Sequence, residues 1–430
     1  MDTIRVKTVD FGTAKDISQN NFIVNSLRKK YNIVISDEPD FLIYSVWGSE
    51  HEQYDCTKIF YTGEPFSPNF NECDYAIGFD PLQFGARYLR LPLFAMEITS
   101  SIQDRSIYSD VVIAEKRFCN FIYSNEFAGN GAFLRKEFCN KLMQYKHVDC
   151  PGMVLHNMDT DELPSRWSKD SYQGKVNFLR NYKFTIAFEN SLMDGYTTEK
   201  LIQPLMAGSI PIYYGNPLVA EEFNRNAFID CNAFDNDLDA VIEEIKRIDS
   251  NPELAKYMIL QSPMRSDYDF AWEERLLDFL TNIVEKGRKR YDHMMWRKAT
   301  TDTHRAGALN YGMYRKGVVE GLKEWKEIVI YGKGNFATKI KEFLDMEEIC
   351  NISACLVSKE DDVDGIFMGL PIVSIDNWKP LTDNPLILIA IRESGQEDLI
   401  RSLMERGYNS FLSINDFLME VIKDKNSNSY

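Results

Sequence analysis

Apolar positions along the chain come in two rhythms, and the switching between them predicts the architecture. Short runs dense in β-branched and aromatic residues recur, such as Lys58–Thr62 (KIFYT), Phe118–Ser124 (FCNFIYS), Phe184–Phe188 (FTIAF) and Ile210–Tyr214 (IPIYY). They are long enough for buried strands and too short for helices. Between them lie longer stretches with the helical period, including Phe133–Tyr145, Asp237–Ile248 and Trp272–Val284. Strands that alternate with helices predict an α/β protein with parallel sheets. Residues 1–113 divide into an alternating edge-type strand Ile4–Phe11, a helix Phe22–Lys30, and strands Tyr31–Ile35, Asp40–Ser45, Lys58–Thr62, Asp74–Phe79 and Tyr88–Pro92. A second α/β domain is expected over 114–285, a helical connector over 286–325 and a third over 326–430.

The chain is organised around Asn181–Gly215, which reads as strand, polar turn, helix, strand. Thr197 or Thr198 can cap a helix that begins near Glu199 and Lys200 and stops at Gly208. Ligands of open α/β sheets bind at the carboxyl ends of the strands. A helix N-terminus there offers free N–H groups and partial positive charge, and Lys200 adds a full one, so a phosphate is the natural guest. Thr-Thr-Glu-Lys alone also suits an ordinary capped helix; what distinguishes it is that Asn190, Asp194, Tyr196, Glu199 and Lys200 crowd into one βα turn. Two more residues carry paired readings. Glu64, in a Gly-Glu-Pro turn after a strand, is a solvated loop carboxylate or a general base. Arg135, placed at a helix start, is a solvated arginine or a planar fork for phosphate.

Composition narrows the field. The formal charge of −16 over 430 residues argues against a general nucleic-acid binder. No run of 18 apolar residues and no signal-peptide pattern is present, so a cytoplasmic protein is expected. The eight cysteines form no C-x-x-C, with Cys119 and Cys139 expected as reduced core residues, and the five histidines form no metal-binding pattern. The triplets Asp159-Thr160-Asp161 and Asp235-Asn236-Asp237 look like metal clamps but sit in polar loops, and are read as surface acids; no metal is expected. Residues 285–324 reverse the charge balance, with ten Lys and Arg against five Asp and Glu. The basic stretch 286–323 is a solvated connector or a patch for anionic lipid, which would put the protein at the inner face of a membrane. Farther on, Ile328–Tyr331 runs into Gly332-Lys333-Gly334-Asn335-Phe336-Ala337 and a helix, the context of a dinucleotide fingerprint. Ser358 stands where an acidic ribose partner is expected, which leaves open a working NAD site or a fold used for docking.

Phe188-Glu189-Asn190-Ser191, then Tyr196-Thr197-Thr198-Glu199-Lys200, then Ala207–Gly215 (AGSIPIYYG) closely resemble the signature of glycosyltransferase family 10. Upstream, Lys58–Asp80 and Arg87–Phe94 (RYLRLPLF) resemble the N-terminal domain of that family's bacterial α-1,3-fucosyltransferases. The resemblance spans roughly residues 30–285. It implies a GT-B fold of two facing Rossmann-like domains, here with a third, small Rossmann-like domain appended. It further implies GDP-β-L-fucose as donor, inversion at the anomeric carbon and no obligatory metal. By the same resemblance Glu64 is the general base, Arg135 and Lys200 contact the diphosphate, and Asn190, Tyr196 and Glu199 hold ribose and fucose, with Glu199 facing the charge that develops on the sugar. The expected acceptor is an oligosaccharide of the lactosamine type in a surface glycan, fucosylated at O3 of GlcNAc. Two departures stand out: Met153 occupies a position where a basic residue is common, and the heptapeptide repeats of some relatives are replaced by the third domain. That domain keeps two rivals in view, an NAD-dependent sugar-modifying enzyme and a non-catalytic scaffold for glycan assembly.

Overall fold

The computed structural model describes residues 1–12, 21–70, 72–81, 85–125, 130–164, 168, 171–287, 318–358, 365–408, 410–414, 418–419 and 422. They form two compact units, one of Met1–Gly78, Leu82–Leu89 and Glu273–Tyr430, the other of Phe79–Pro81 and Arg90–Trp272.

The first unit begins with a sheet of β1 (Thr3–Val9), β2 (Asn32–Ile35), β3 (Phe41–Tyr44), β4 (Thr57–Tyr61), β5 (Tyr75–Gly78) and β6 (Tyr88–Arg90), ordered β2-β1-β3-β4-β5-β6. The pairings of β1 through β5 are parallel. A short helix, α1 (Phe22–Leu27), is capped by Asn21, whose side chain accepts from Val24 N. The expectation of an edge strand at Ile4–Phe11 is corrected: β1 lies between β2 and β3. Its alternation, with Ile4 and Val6 buried and Thr3 and Arg5 exposed, records one wet face, which an interior strand can also have.

The second unit holds β7 (Arg117–Asn120), α2 (Asn130–Met143), β8 (Val148–Asp149), α3 (Ser171–Leu179), β9 (Tyr182–Phe188), α4 (Glu199–Ala207), β10 (Ile210–Tyr214), β11 (Ile229–Asp230), α5 (Leu238–Asp249) and α6 (Pro252–Ile259). Its sheet runs β11-β10-β9-β7-β8 with every pairing parallel. All seven residues of β9 are buried, as befits the central strand of a sheet covered on both faces. Its core gathers Phe118, Phe138, Phe184, Ile186, Phe188, Ile212 and Ile245. Numbered within the domain, the strand order is 2-1-3-4-5, which reverses between β7 and β9; the ligand crevice of such a sheet lies there.

The chain then returns to the first unit through α7 (Trp272–Lys286). Lys29 pairs with Glu273 at 2.7 Å, the Tyr75 ring meets Phe279 edge-on at 6.1 Å, and the Tyr75 hydroxyl donates to Gly287 O at 2.9 Å. The domain expected over 114–285 therefore gives up its last helix to the first unit and gains residues 90–113. The unit's remaining sheet comprises β12 (Ile328–Tyr331), β13 (Ile352–Val357), β14 (Ile366–Phe367), β15 (Leu370–Ser374), β16 (Leu386–Ile389) and β17 (Phe411–Ser413), with helices α8 (Asn335–Met346) and α9 (Glu393–Glu405). The order is β14-β15-β13-β12-β16-β17, parallel except for the β14–β15 hairpin. Ile328 and Ile330 enter one core while Val329 and Tyr331 enter another, so both faces of β12 are covered. The α/β class with parallel sheets is thus observed throughout.

Candidate active site

Two helices converge on the carboxyl end of β9. The first residues of α2 press so closely that a Cβ on Gly131 would lie 2.1 Å from Glu189 O, and Gly131 N donates to Asn190 O at 3.0 Å. Only glycine permits that approach. On the other side Thr198 caps α4, and Gly208 ends it in the left-handed conformation (φ 66°). The intervening turn is fixed from below by Asn216, fully buried, whose Oδ1 accepts from Gly195 N at 2.7 Å and whose Nδ2 donates to Thr197 Oγ1 at 3.1 Å. Gly195 (φ 79°) is required because a Cβ there would meet Phe79 O at 2.3 Å.

Charge is concentrated at this point. Glu189 has no exposure, and its carboxylate accepts from Thr198 N at 2.8 Å and from Thr198 Oγ1 at 2.8 and 2.9 Å. Lys200 Nζ lies 3.2 Å from both Glu189 Oε2 and Glu199 Oε1. Burial pushes the Glu189 carboxyl up, and Lys200 pulls against it. Burial likewise opposes the Lys200 ammonium, but Glu189 and Glu199 outweigh it and hold the group firmly protonated. Around Glu199 burial is again overcome, here by Lys200 and Lys175, which keep its carboxylate down at about 2. Lys175, on α3, is itself lowered by burial and supported by Glu199.

Arg135 completes the cluster. It is 2% exposed and stacks over the Tyr123 ring at 4.0 Å. One Nη donates to Asn190 Oδ1 at 2.8 Å and the other to the Asn125 carbonyl. Burial lowers its guanidinium while Tyr123 and Glu189 support it. Among the described residues its Nε finds no acceptor. A buried donor left open at a strand-end crevice is a place for a ligand oxygen. Tyr123 serves as the base of this arrangement, its hydroxyl accepting from Phe188 N at 2.9 Å.

Arg135, Asn190, Glu199 and Lys200 are thus gathered at the carboxyl end of β9. Tyr196 is buried beside them, 3% exposed, with its ring edge-on to Phe79 at 5.0 Å. Glu64 belongs to the first unit, half-buried on the turn after β4, with its N–H donating to Thr62 Oγ1 at 3.1 Å. Arg135 sits in the second turn of its helix, because α2 begins at Asn130 and not at Phe133. Glu189 enters the sequence motif Phe188–Ser191 with no role attached to it, and Asn216 and Lys175 lie outside the motifs. Asn216 shows in the sequence only as a polar residue past the end of an apolar strand, and Lys175 lies on a helix, SYQGKVNFL, whose weak apolar period conceals it. The acidic triplets do structural work: Asp159 pairs with His156 at 3.1 Å, Asp237 caps α5, and Asp235 adopts φ 51° at the end of the preceding turn. Among the described residues no group of three His, Cys, Asp or Glu is placed to hold a metal ion. Met153 is 78% exposed. Most of the basic stretch 286–323 lies outside the described residues, and among those described no helix is long and apolar enough to cross a membrane.

Residues 6–97 match the family model of the α-(1,3)-fucosyltransferase FucT N-terminal domain, and residues 114–260 match that of the glycosyltransferase family 10 (fucosyltransferase) C-terminal domain. The chain is 28% identical over 321 residues to the α-(1,3)-fucosyltransferase FucT of Helicobacter pylori, covering 64% of each chain. It is 37% identical over 125 residues to GDP-fucose protein O-fucosyltransferase 3 of Xenopus laevis, covering 28% of this chain and 26% of that one. It thus spans less than two thirds of the length of either relative. Among solved structures it resembles an α1,3-fucosyltransferase with GDP-fucose, at a TM-score of 0.54 and 26% identity, over 66% of this chain and 91% of that one. Two parallel sheets with a charged cluster at the switch point of the second, and two family models that in chain order take up more than half of the sequence, give one conclusion: the chain belongs to glycosyltransferase family 10.

Proposed function

We propose that the protein transfers L-fucose from GDP-β-L-fucose to a hydroxyl of a glycan acceptor, with inversion at the anomeric carbon. The observation that carries this reading is the meeting of Arg135, Lys200 and the N-termini of α2 and α4 at the β7–β9 switch point. That is a diphosphate site by charge and by topology. In this reading the acceptor oxygen attacks C1 of fucose from the face opposite the diphosphate, and Glu64 takes the hydroxyl proton as the new bond forms. The C1–oxygen bond to phosphate breaks and GDP leaves with the electron pair. Arg135 and Lys200 offset the charge that grows on GDP, so no metal is required for that task. Glu199, ionised well below neutrality, faces the positive charge that develops on the sugar ring. Asn190 and Tyr196 line the donor side.

For the acceptor we propose O3 of GlcNAc in a lactosamine-type surface glycan, modified on the cytoplasmic side. The α-(1,3)-fucosyltransferase relative supports it, and the protein O-fucosyltransferase relative supplies the competing class for the assay. The test is a panel of sugar nucleotides offered with lactosamine and with peptide acceptors, with and without EDTA. Transfer of fucose from GDP-fucose to lactosamine in EDTA is expected; consumption of a different donor, or strict dependence on added metal, would sink the reading. Glu64→Gln should lower turnover by about 100- to 10,000-fold while GDP binding persists. Turnover near the wild-type level would remove Glu64 from the role of base.

A further inference from the structure

One motif is not absorbed by the donor site. Gly332-Lys333-Gly334-Asn335-Phe336-Ala337 joins β12 to α8, and each of its small residues has a separate task. Gly332 adopts φ 112°, and a Cβ there would lie 2.8 Å from Ala390 O and 3.0 Å from Ile391 Cγ2, so glycine lets the turn close against the end of β16. Ala337 is fully buried in one core with Ile328, Ile330 and Leu388, where a small residue brings helix and sheet together. Gly334 is neither strained nor crowded: its φ is −90°, and a Cβ on it would meet nothing within 4 Å. The fold does not need glycine at that position; a ligand that approaches the backbone closely does.

Polar groups around this turn are left open. Helices α1, α4, α5 and α6 are each capped by an Asn, Thr or Asp side chain. Helix α8 has no side-chain cap and no acid in its first turn, and its first bond runs from Thr338 N to Gly334 O at 3.0 Å. The N–H groups that precede Thr338 are those a bound anion would satisfy, and Lys333 is exposed on the same turn. Across the switch point Gln396, on α9 and without exposure, donates through Nε2 to Ile391 O and Ile414 O at 2.9 Å each. Its amide is thereby fixed at the ends of β16 and β17, beside the residue that packs on Gly332, and its Oε1 has no partner among the described residues. Past the end of β13, Ser358 Oγ is held by the Tyr331 hydroxyl at 2.7 Å.

We infer that this turn is the phosphate cradle of a second ligand site, one that takes a nicotinamide dinucleotide. The pyrophosphate rests on Gly334 and the start of α8, with Lys333 beside it. The adenosine ribose reaches the end of β13, where Ser358 and Tyr331 offer hydroxyls in place of the customary carboxylate. With no negative charge there, a 2′-phosphate is admitted, so NADPH fits as well as NADH. The nicotinamide half extends toward β16, where a carboxamide N–H or a ribose hydroxyl supplies the donor that Gln396 Oε1 lacks. GDP has no such half and is a poor competitor at this site.

The test is a fluorescence titration of the full chain with NADPH and with NADH, each repeated in saturating GDP. Saturable binding that GDP does not displace is expected. In Gly334→Asp the new carboxylate caps α8, so Tm should hold or rise, while its charge opposes the pyrophosphate and should weaken binding about tenfold or more. Ser358→Asp should lower the affinity for NADPH about tenfold relative to NADH, by repulsion of the 2′-phosphate. Absence of saturable binding of either dinucleotide overturns the inference. So does displacement by GDP, which would put the dinucleotide in the donor site, or undiminished binding in Gly334→Asp. An unaltered ratio of the two affinities in Ser358→Asp refutes the place assigned to the ribose.

Discussion

The chain contains two topological switch points built to the same plan and furnished differently. At the β7–β9 switch point, parallel strands lead into α2 and α4, and charge is grouped there, with Arg135 and Glu189 buried and Lys200 and Glu199 half-buried. At the β12–β16 switch point the five parallel strands, β14 aside, run in the order 3-2-1-4-5, and the turn into α8 is made by glycines. Gly332 (φ 112°) would bring a Cβ to 2.8 Å from Ala390 O, whereas a Cβ on Gly334 would meet open space. The cation of that turn, Lys333, is exposed, and Ser358 Oγ is engaged with the Tyr331 hydroxyl at 2.7 Å. A parallel sheet with a reversal provides a place for a ligand; the grouped and buried ion pairs indicate which place is equipped for chemistry.

Lys200→Ala attacks the difference most strongly. Fucose transfer should fall about 100- to 1000-fold with the loss of one preorganised contact to the leaving group. Steady-state turnover within a few-fold of wild type would mean that the first switch point is no better furnished than the second. Glu189→Gln comes next. It leaves Lys200 paired with Glu199 alone, a loss that thermal denaturation would register as a lowered Tm. An unchanged Tm would show that Glu189 is not the anchor of Thr198 and Lys200. The smallest effect belongs to Gly332→Ala, which forces a left-handed backbone on alanine and should cost about 1–3 kcal/mol in the C-terminal sheet. Fucose transfer should be untouched; a loss of transfer would join the two switch points in one function.

Much of this was legible in the residues. Asn181–Gly215 folds in the expected order of strand, turn, helix and strand, because short β-branched runs and a Thr cap constrain the backbone locally. What escaped depends on contacts distant in sequence. Gly131 looked like part of a loop, yet it lies inside α2 because its missing side chain lets the helix abut Glu189. Glu189 looked like one more polar turn residue, since nothing local reveals that a carboxylate is fully buried until Thr198 and Lys200 fold back onto it. Thr3–Val9 looked like an edge because alternation reports how many faces are wet, not how many neighbours a strand has. Helix α7 looks continuous with the second domain, but the contacts of Glu273 with Lys29 and of Phe279 with Tyr75 place it in the first unit.

The most direct test of the central claim is hydrogen–deuterium exchange of the full chain with and without saturating GDP. Peptides covering 130–143 and 189–201 should exchange more slowly when GDP is present, while those covering 328–340 stay unchanged. Protection over 328–340 with none at 189–201 would place the nucleotide at the other switch point and contradict the account.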